Sequence, residues 1–135
     1  MKNRLIRQWA DMWPREVCDF PSLDRKKLYI RTFDYPGVYI LYREDIPYYV
    51  GQAQHLGERV WVHANNPEDR YYNFWNMVSM FVVKDKKLID DLEAILIAAM
   101  PTANASEPRM RRMSLPKHVR DTIRRARKLR ATASH

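Results

Sequence analysis

All three glycines of this 135-residue chain fall between positions 37 and 57, as Gly37, Gly51 and Gly57. Glycine serves where a backbone turns tightly or comes up hard against another group. The strictest steric demand of the molecule therefore falls on one short segment. Two similar runs, Gly37-Val38-Tyr39 and Tyr49-Val50-Gly51, lie in it, and Tyr39, Tyr49 and Arg59 recur at intervals of ten. Polar groups at fixed offsets beside the glycines point to a site rather than to core alone.

Length and composition suit one domain, because 46% apolar and 12% aromatic residues supply a core and argue against disorder. No run approaches the roughly 18 apolar residues of a membrane span. Arg4, Arg7 and Asp11 interrupt the N-terminal apolar residues, so a secretory h-region is absent. Cys18 is the single cysteine, which excludes an internal disulfide and is consistent with a cytoplasmic location.

The net charge of +8 has an address. Residues 107–130 hold ten Lys and Arg against Glu107 and Asp121, whereas residues 1–106 balance at fourteen of each sign. The bases are Arg109, Arg111, Arg112, Lys117, Arg120, Arg124, Arg125, Arg127, Lys128 and Arg130. Such a stripe is the footprint expected for a nucleic-acid backbone, although a solvated helix or anionic lipid also accommodates it.

Leu5, Ile6, Trp9, Met12 and Trp13 recur at helical spacing up to Pro14 and predict an N-terminal amphipathic helix. Residues 14–35 read as irregular. Strands are expected at 38–42 and 48–51 around a short turn, then a helix at 54–64 that Gly57 weakens, then a strand at 75–83. Asp85 predicts an N-cap for a helix at 86–100 with Leu88, Ile89, Leu92, Ile95, Leu96 and Ala99 on one face. After a linker at 101–115, Pro116 opens a last helix whose narrow stripe of Val119, Ile123 and Ala126 is surrounded by Arg and Lys. The order predicts an α+β fold, a small and mainly antiparallel sheet flanked by helices.

Glu93 stands at the edge of its helix's apolar face, beside Ile89, Ile97 and Met100. A carboxylate in such company needs a partner, either a divalent cation or a base such as Arg59 or a surface lysine. His63 follows Arg59 by one helical turn and, taken alone, reads as a helix-surface or core residue rather than a catalyst. His55, His63, His118 and His135 are too scattered for zinc, and neither a Walker-type loop nor a nucleophile elbow occurs.

Taken together, Gly37-Val38-Tyr39, Tyr49-Val50-Gly51, Arg59, His63, Glu93 and Asn104 stand in an order and spacing that resemble the GIY-YIG nuclease family. The two tripeptides differ from the family name only by Val for Ile. The resemblance covers roughly residues 35–106, with 1–34 as an N-terminal helix and irregular extension and 107–135 as a basic tail. It implies a three-stranded sheet and metal-dependent hydrolysis of DNA phosphodiesters. Tyr39 would be the general base, supported by Tyr49. Arg59 would clamp the scissile phosphate, His63 would assist near it, Glu93 would bind the metal and Asn104 would organise the site. Gln52 is given no role. Additions outside such a core usually supply target recognition, so the tail residues from Arg109 to Lys128 are expected on double-stranded DNA.

Physical chemistry supports these roles. Hydrolysis builds negative charge on phosphate oxygens, which a guanidinium and a cation stabilise. A phenol with a pKa of about 10 lies roughly 4 kcal/mol on the wrong side for a base at neutral pH. Arg59 and the cation are expected to favour the phenolate. A lone motif carboxylate favours a single Mg²⁺ or Mn²⁺ over a two-metal scheme. A non-catalytic nucleic-acid-binding module on the same fold is the alternative, and Trp9 and Trp13 suit a protein-interaction role.

Overall fold

A computed structural model describes residues 5–19, 34–102, 104 and 110–133. In chain order the elements are β1 (Ile6–Pro14), α1 (Glu16–Asp19), β2 (Gly37–Arg43), β3 (Ile46–Ala53), α2 (Leu56–Asn65), β4 (Met77–Val83), α3 (Lys86–Ala99) and α4 (Lys117–Ala133). The strands form one sheet in the order β1-β4-β2-β3, antiparallel at every step. The α+β class expected from the sequence is the class observed.

Period-two alternation divides the core into two layers. From β2, Tyr39 and Leu41 face the layer with α2, where Leu56, Val60 and Ala64 meet Val78, Met80 and Val82 of β4. Val38 and Ile40 point the other way, onto Val50, Val83 and Ile89 beneath α3. Asp85 caps α3 as expected, its side chain accepting from the Lys87 N–H at 3.0 Å. Among the described residues no helix is long and apolar enough to cross a membrane.

The N-terminal helix is a correction: residues 6–14 are an edge strand, and the sheet has four strands rather than three. Two register shifts explain the misleading period. One lies between Ile6 and Gln8, so Ile6 opposite Val83 and Trp9 opposite Phe81 share a face at a spacing of three. The other lies between Ala10 and Trp13, which oppose Met80 and Val78 on the other face. Met12 sits between them at φ 51°, its N–H donating to Ser79 Oγ at 3.0 Å. Two bulged strand faces thus imitate a helical repeat. Trp9 stacks on Phe81 with ring centroids 5.8 Å apart.

Arg15, just after β1, ties this end of the chain to the segment between α2 and β4. Its guanidinium donates to the carbonyls of Tyr72, Trp75 (3.1 Å) and Ala64 (2.9 Å), and its Nε pairs with Asp19 at 2.9 Å. It also lies over the Tyr72 and Trp75 rings, 4.9 Å from each centroid.

Candidate active site

The two glycine runs face each other across β2 and β3, with Tyr39 opposite Gly51 and Leu41 opposite Tyr49. No glycine has positive φ. The demand is for space: a Cβ on Gly51 would collide with the Tyr39 ring and hydroxyl, and one on Gly37 with the Phe81 carbonyl. Gly51 thereby opens the slot that Tyr39 occupies, fully buried.

Inside that slot a hydrogen-bonded chain runs from strand to helix to loop. Tyr39 Oη lies 2.7 Å from His63 Nε2, and His63 Nδ1 lies 2.8 Å from Asp69 Oδ1. The same carboxylate oxygen accepts from the Tyr71 N–H at 2.9 Å. A carboxylate only accepts, so His63 carries its proton on Nδ1, and Nε2 is left to accept from the Tyr39 hydroxyl. Burial pushes the Asp69 carboxyl up, but the hydrogen bonds from His63 and Tyr71 outweigh it and hold the group below its usual range. Burial lowers the His63 imidazole despite Asp69, which keeps it neutral and able to accept a proton at neutral pH.

Arg59 lowers the Tyr39 pKa as expected, but burial acts against it. Burial, helped by Tyr49, raises its pKa well above that of a free phenol, and Arg59 offsets only part of this. The chain alone does not favour the phenolate; it offers the phenol a neutral acceptor instead. Arg59, on the exposed side of α2, is itself held more firmly protonated by its hydrogen bond to Tyr39.

Tyr49 lies 6.1 Å from the Tyr39 ring and stacks on Tyr71 at 4.1 Å. Burial and Tyr71 raise its pKa, Tyr39 and Arg59 lower it in part, and the Glu93 charge adds a smaller upward push. Glu93 projects half-buried from α3 and accepts from Gln52 Nε2 at 3.3 Å, the amide that also donates to Asp90 at 2.9 Å. Among the described residues it forms no ion pair with Arg59 or a lysine. Asn104 pairs with the Val50 backbone, accepting from its N–H at 3.0 Å and donating to its carbonyl at 2.8 Å. It thus occupies the free edge of β3 as a strand would.

The six positions Tyr39, Tyr49, Arg59, His63, Glu93 and Asn104 are therefore gathered around β2 and β3. The family model of the GIY-YIG catalytic domain matches residues 35–103. The chain belongs to the GIY-YIG nuclease family. Its matched segment is the catalytic domain, so the chain is an endonuclease. Among solved structures, it is similar to the magnesium-bound GIY-YIG N-terminal endonuclease domain of UvrC from Thermotoga maritima, at 28% identity over 55% of this chain and 86% of that one, with a TM-score of 0.47. A point mutant of the same domain bound to its catalytic divalent cation gives 30% identity, 56% and 86% coverage and a TM-score of 0.46. No curated protein matches the sequence.

Three residues of this GIY-YIG domain, and one that precedes it, escaped the sequence reading. Asp69 and Tyr71 lie in a polar stretch with no periodicity, Gln52 had been set aside, and Arg15 fell in a segment read as irregular. Only the adjacency of Gln52 to the Tyr49-Val50-Gly51 run was visible beforehand. The donor set suits a hard, hydrated cation. Among the described residues no three His, Cys, Asp or Glu side chains converge, which excludes a zinc-type cage there. One carboxylate with room for water and phosphate oxygens is how Mg²⁺ is commonly held. Of the tail bases, Arg111 and Arg112 precede α4, and Lys117, Arg120, Arg124, Arg125, Arg127 and Lys128 are exposed on it. Arg109 lies outside the described residues.

Proposed function

We propose that the chain cuts double-stranded DNA by hydrolysis, with residues 35–106 as the catalytic unit and the 107–135 tail as its contact to phosphates. The observation that carries this reading is the Tyr39–His63–Asp69 chain beside Arg59. In the reaction, Tyr39 takes a proton from the attacking water as its own hydroxyl proton passes to His63 Nε2. The new imidazolium is stabilised by Asp69, which also holds the ring in its tautomer. The water oxygen forms a bond to phosphorus, the bond to the leaving deoxyribose oxygen breaks, and that oxygen takes a proton from solvent as the His63 imidazolium later returns its own. Arg59 grips two phosphate oxygens with its planar fork. Tyr49 supports Tyr39, Gln52 steadies Glu93 and Asn104 pins β3. A single Mg²⁺ or Mn²⁺ held by Glu93 would supply positive charge to the phosphate oxygens.

This role for Tyr39 answers its raised pKa. A phenol that hands its proton to a neutral imidazole need not be ionised beforehand, so burial does not disqualify it. Supercoiled plasmid incubated with Mg²⁺ tests the reading. Wild type is expected to nick or linearise it, and both Tyr39→Phe and Glu93→Ala to lose at least about a hundredfold in rate, the lower end of what a positioned acid–base group supplies. Equal cleavage by the three proteins overturns the assignment. Tight, salt-sensitive binding with no cleavage under any divalent ion would instead favour a non-catalytic DNA-binding module.

A further inference from the structure

A row of aromatic rings leads outward from the active site, and the catalytic scheme does not use its far end. Tyr49 stacks on Tyr71 at 4.1 Å, Tyr71 meets Tyr48 edge-on at 6.3 Å, and Tyr48 stacks on Phe74 at 5.5 Å with the planes 14° apart. Phe74 ends the row with 42% of its surface exposed. Tyr48 belongs to this row because of a bulge. Leu41 opposes Tyr49 while Tyr42 opposes Pro47, so Tyr48 is the extra residue of β3. In a regular strand it would face opposite to Tyr49; the bulge re-aims it to the same side.

We propose that the Tyr48–Phe74 pair is a stacking platform for an unpaired nucleobase next to the scissile phosphate, so that this nuclease prefers DNA with an unstacked nucleotide there. The inference rests on the endonuclease reading above. Three observations favour a base as the occupant. The platform is continuous with Tyr49 and hence with the phosphate site. An exposed flat ring offers what every base offers in return, a π-face, and such stacking is the usual device for holding unpaired nucleotides. A cation accompanies the row: Arg70 lies over the Tyr71 ring, 5.7 Å from its centroid. A guanidinium there suits the phosphate that any stacked nucleotide brings with it.

The test uses the full chain and two oligonucleotide duplexes of one sequence, fully paired or with a single unpaired 5-iodouracil beside the cleaved bond. In Mg²⁺, wild type is expected to cut the second about tenfold faster, the scale of one base–aromatic stack. Phe74→Ala is expected to bring that ratio to about one, and Phe74→Trp to restore it. Irradiation in EDTA, which requires no activity, is expected to crosslink the base to Tyr48 or Phe74. Wild-type cleavage with a ratio near one, an unchanged ratio in Phe74→Ala, or crosslinks mapping only to other segments or to the tail overturns the platform. If wild type cuts neither DNA yet crosslinks at Phe74, the platform stands and the nuclease reading fails.

Discussion

Asp69 makes His63 an acceptor, and this is where the chemistry of the site depends most on a single atom. Burial alone would leave an imidazole with no preference between its two tautomers. A carboxylate on Nδ1 settles the matter and aims the Nε2 lone pair at Tyr39. Asp69→Asn can present an N–H to Nδ1 and so reverse the tautomer. Single-turnover cleavage should fall about 10²- to 10⁴-fold, while the folded structure persists by circular dichroism. The pH profile has a definite sign. The His63 pKa is lowered from 6.5, so between its folded value and 6.5 the unfolded chain binds more protons. The stability contributed by a neutral His63 is complete above 6.5 and is lost as pH falls through the folded value. Cleavage should therefore hold down to pH 6.5 and lose rate on an acid limb centred below it, read from single-turnover rates across pH.

At the scale of elements, β1 and the segment between α2 and β4 are one mechanical unit. Arg15 satisfies carbonyls of Ala64, Tyr72 and Trp75 that no helix or strand partner reaches. The same segment carries Asp69 and Tyr71, so the clamp that fixes the backbone also fixes the site. Arg15→Ala leaves those carbonyls unpaired in a partly buried place, and a loss of about 2–4 kcal/mol is expected in urea unfolding. Where an element's pattern is local, the sequence was sufficient. Asp85 and the apolar face behind it announce α3, and Val38 to Tyr42 announces β2, because a cap and a period depend on neighbours in the chain. β1 was illegible for the converse reason. Its bulges are imposed by pairing with β4, as the Met12 to Ser79 hydrogen bond shows, and they turn a two-residue period into three.

Over the whole molecule, the charge excess lies outside the segment matched to the family. Residues 1–106 balance their charges, and six of the eight excess charges sit on α4, none of whose residues is buried. Removing residues 117–135 should accordingly leave the melting temperature of the body unchanged by calorimetry. It also removes Lys117, Arg120, Arg124, Arg125, Arg127, Lys128 and Arg130. DNA binding should weaken, and the slope of log K against log salt should shrink by up to about 6 if each had neutralised one phosphate. A titration at several salt concentrations measures this. An unchanged slope would remove the tail from the DNA interface.

The residue types of the candidate site and their order were legible in the sequence, as the glycine runs, the paired tyrosines, Arg59, His63, Glu93 and Asn104. Their company was not. Asp69 behind His63, Tyr71 on Tyr49 and Gln52 between Asp90 and Glu93 join segments distant in the chain, and no periodicity records such contacts. The tertiary structure also supplied the burial of Tyr39. Burial is a property of the folded molecule, and here it outweighs the arginine that the sequence placed nearby.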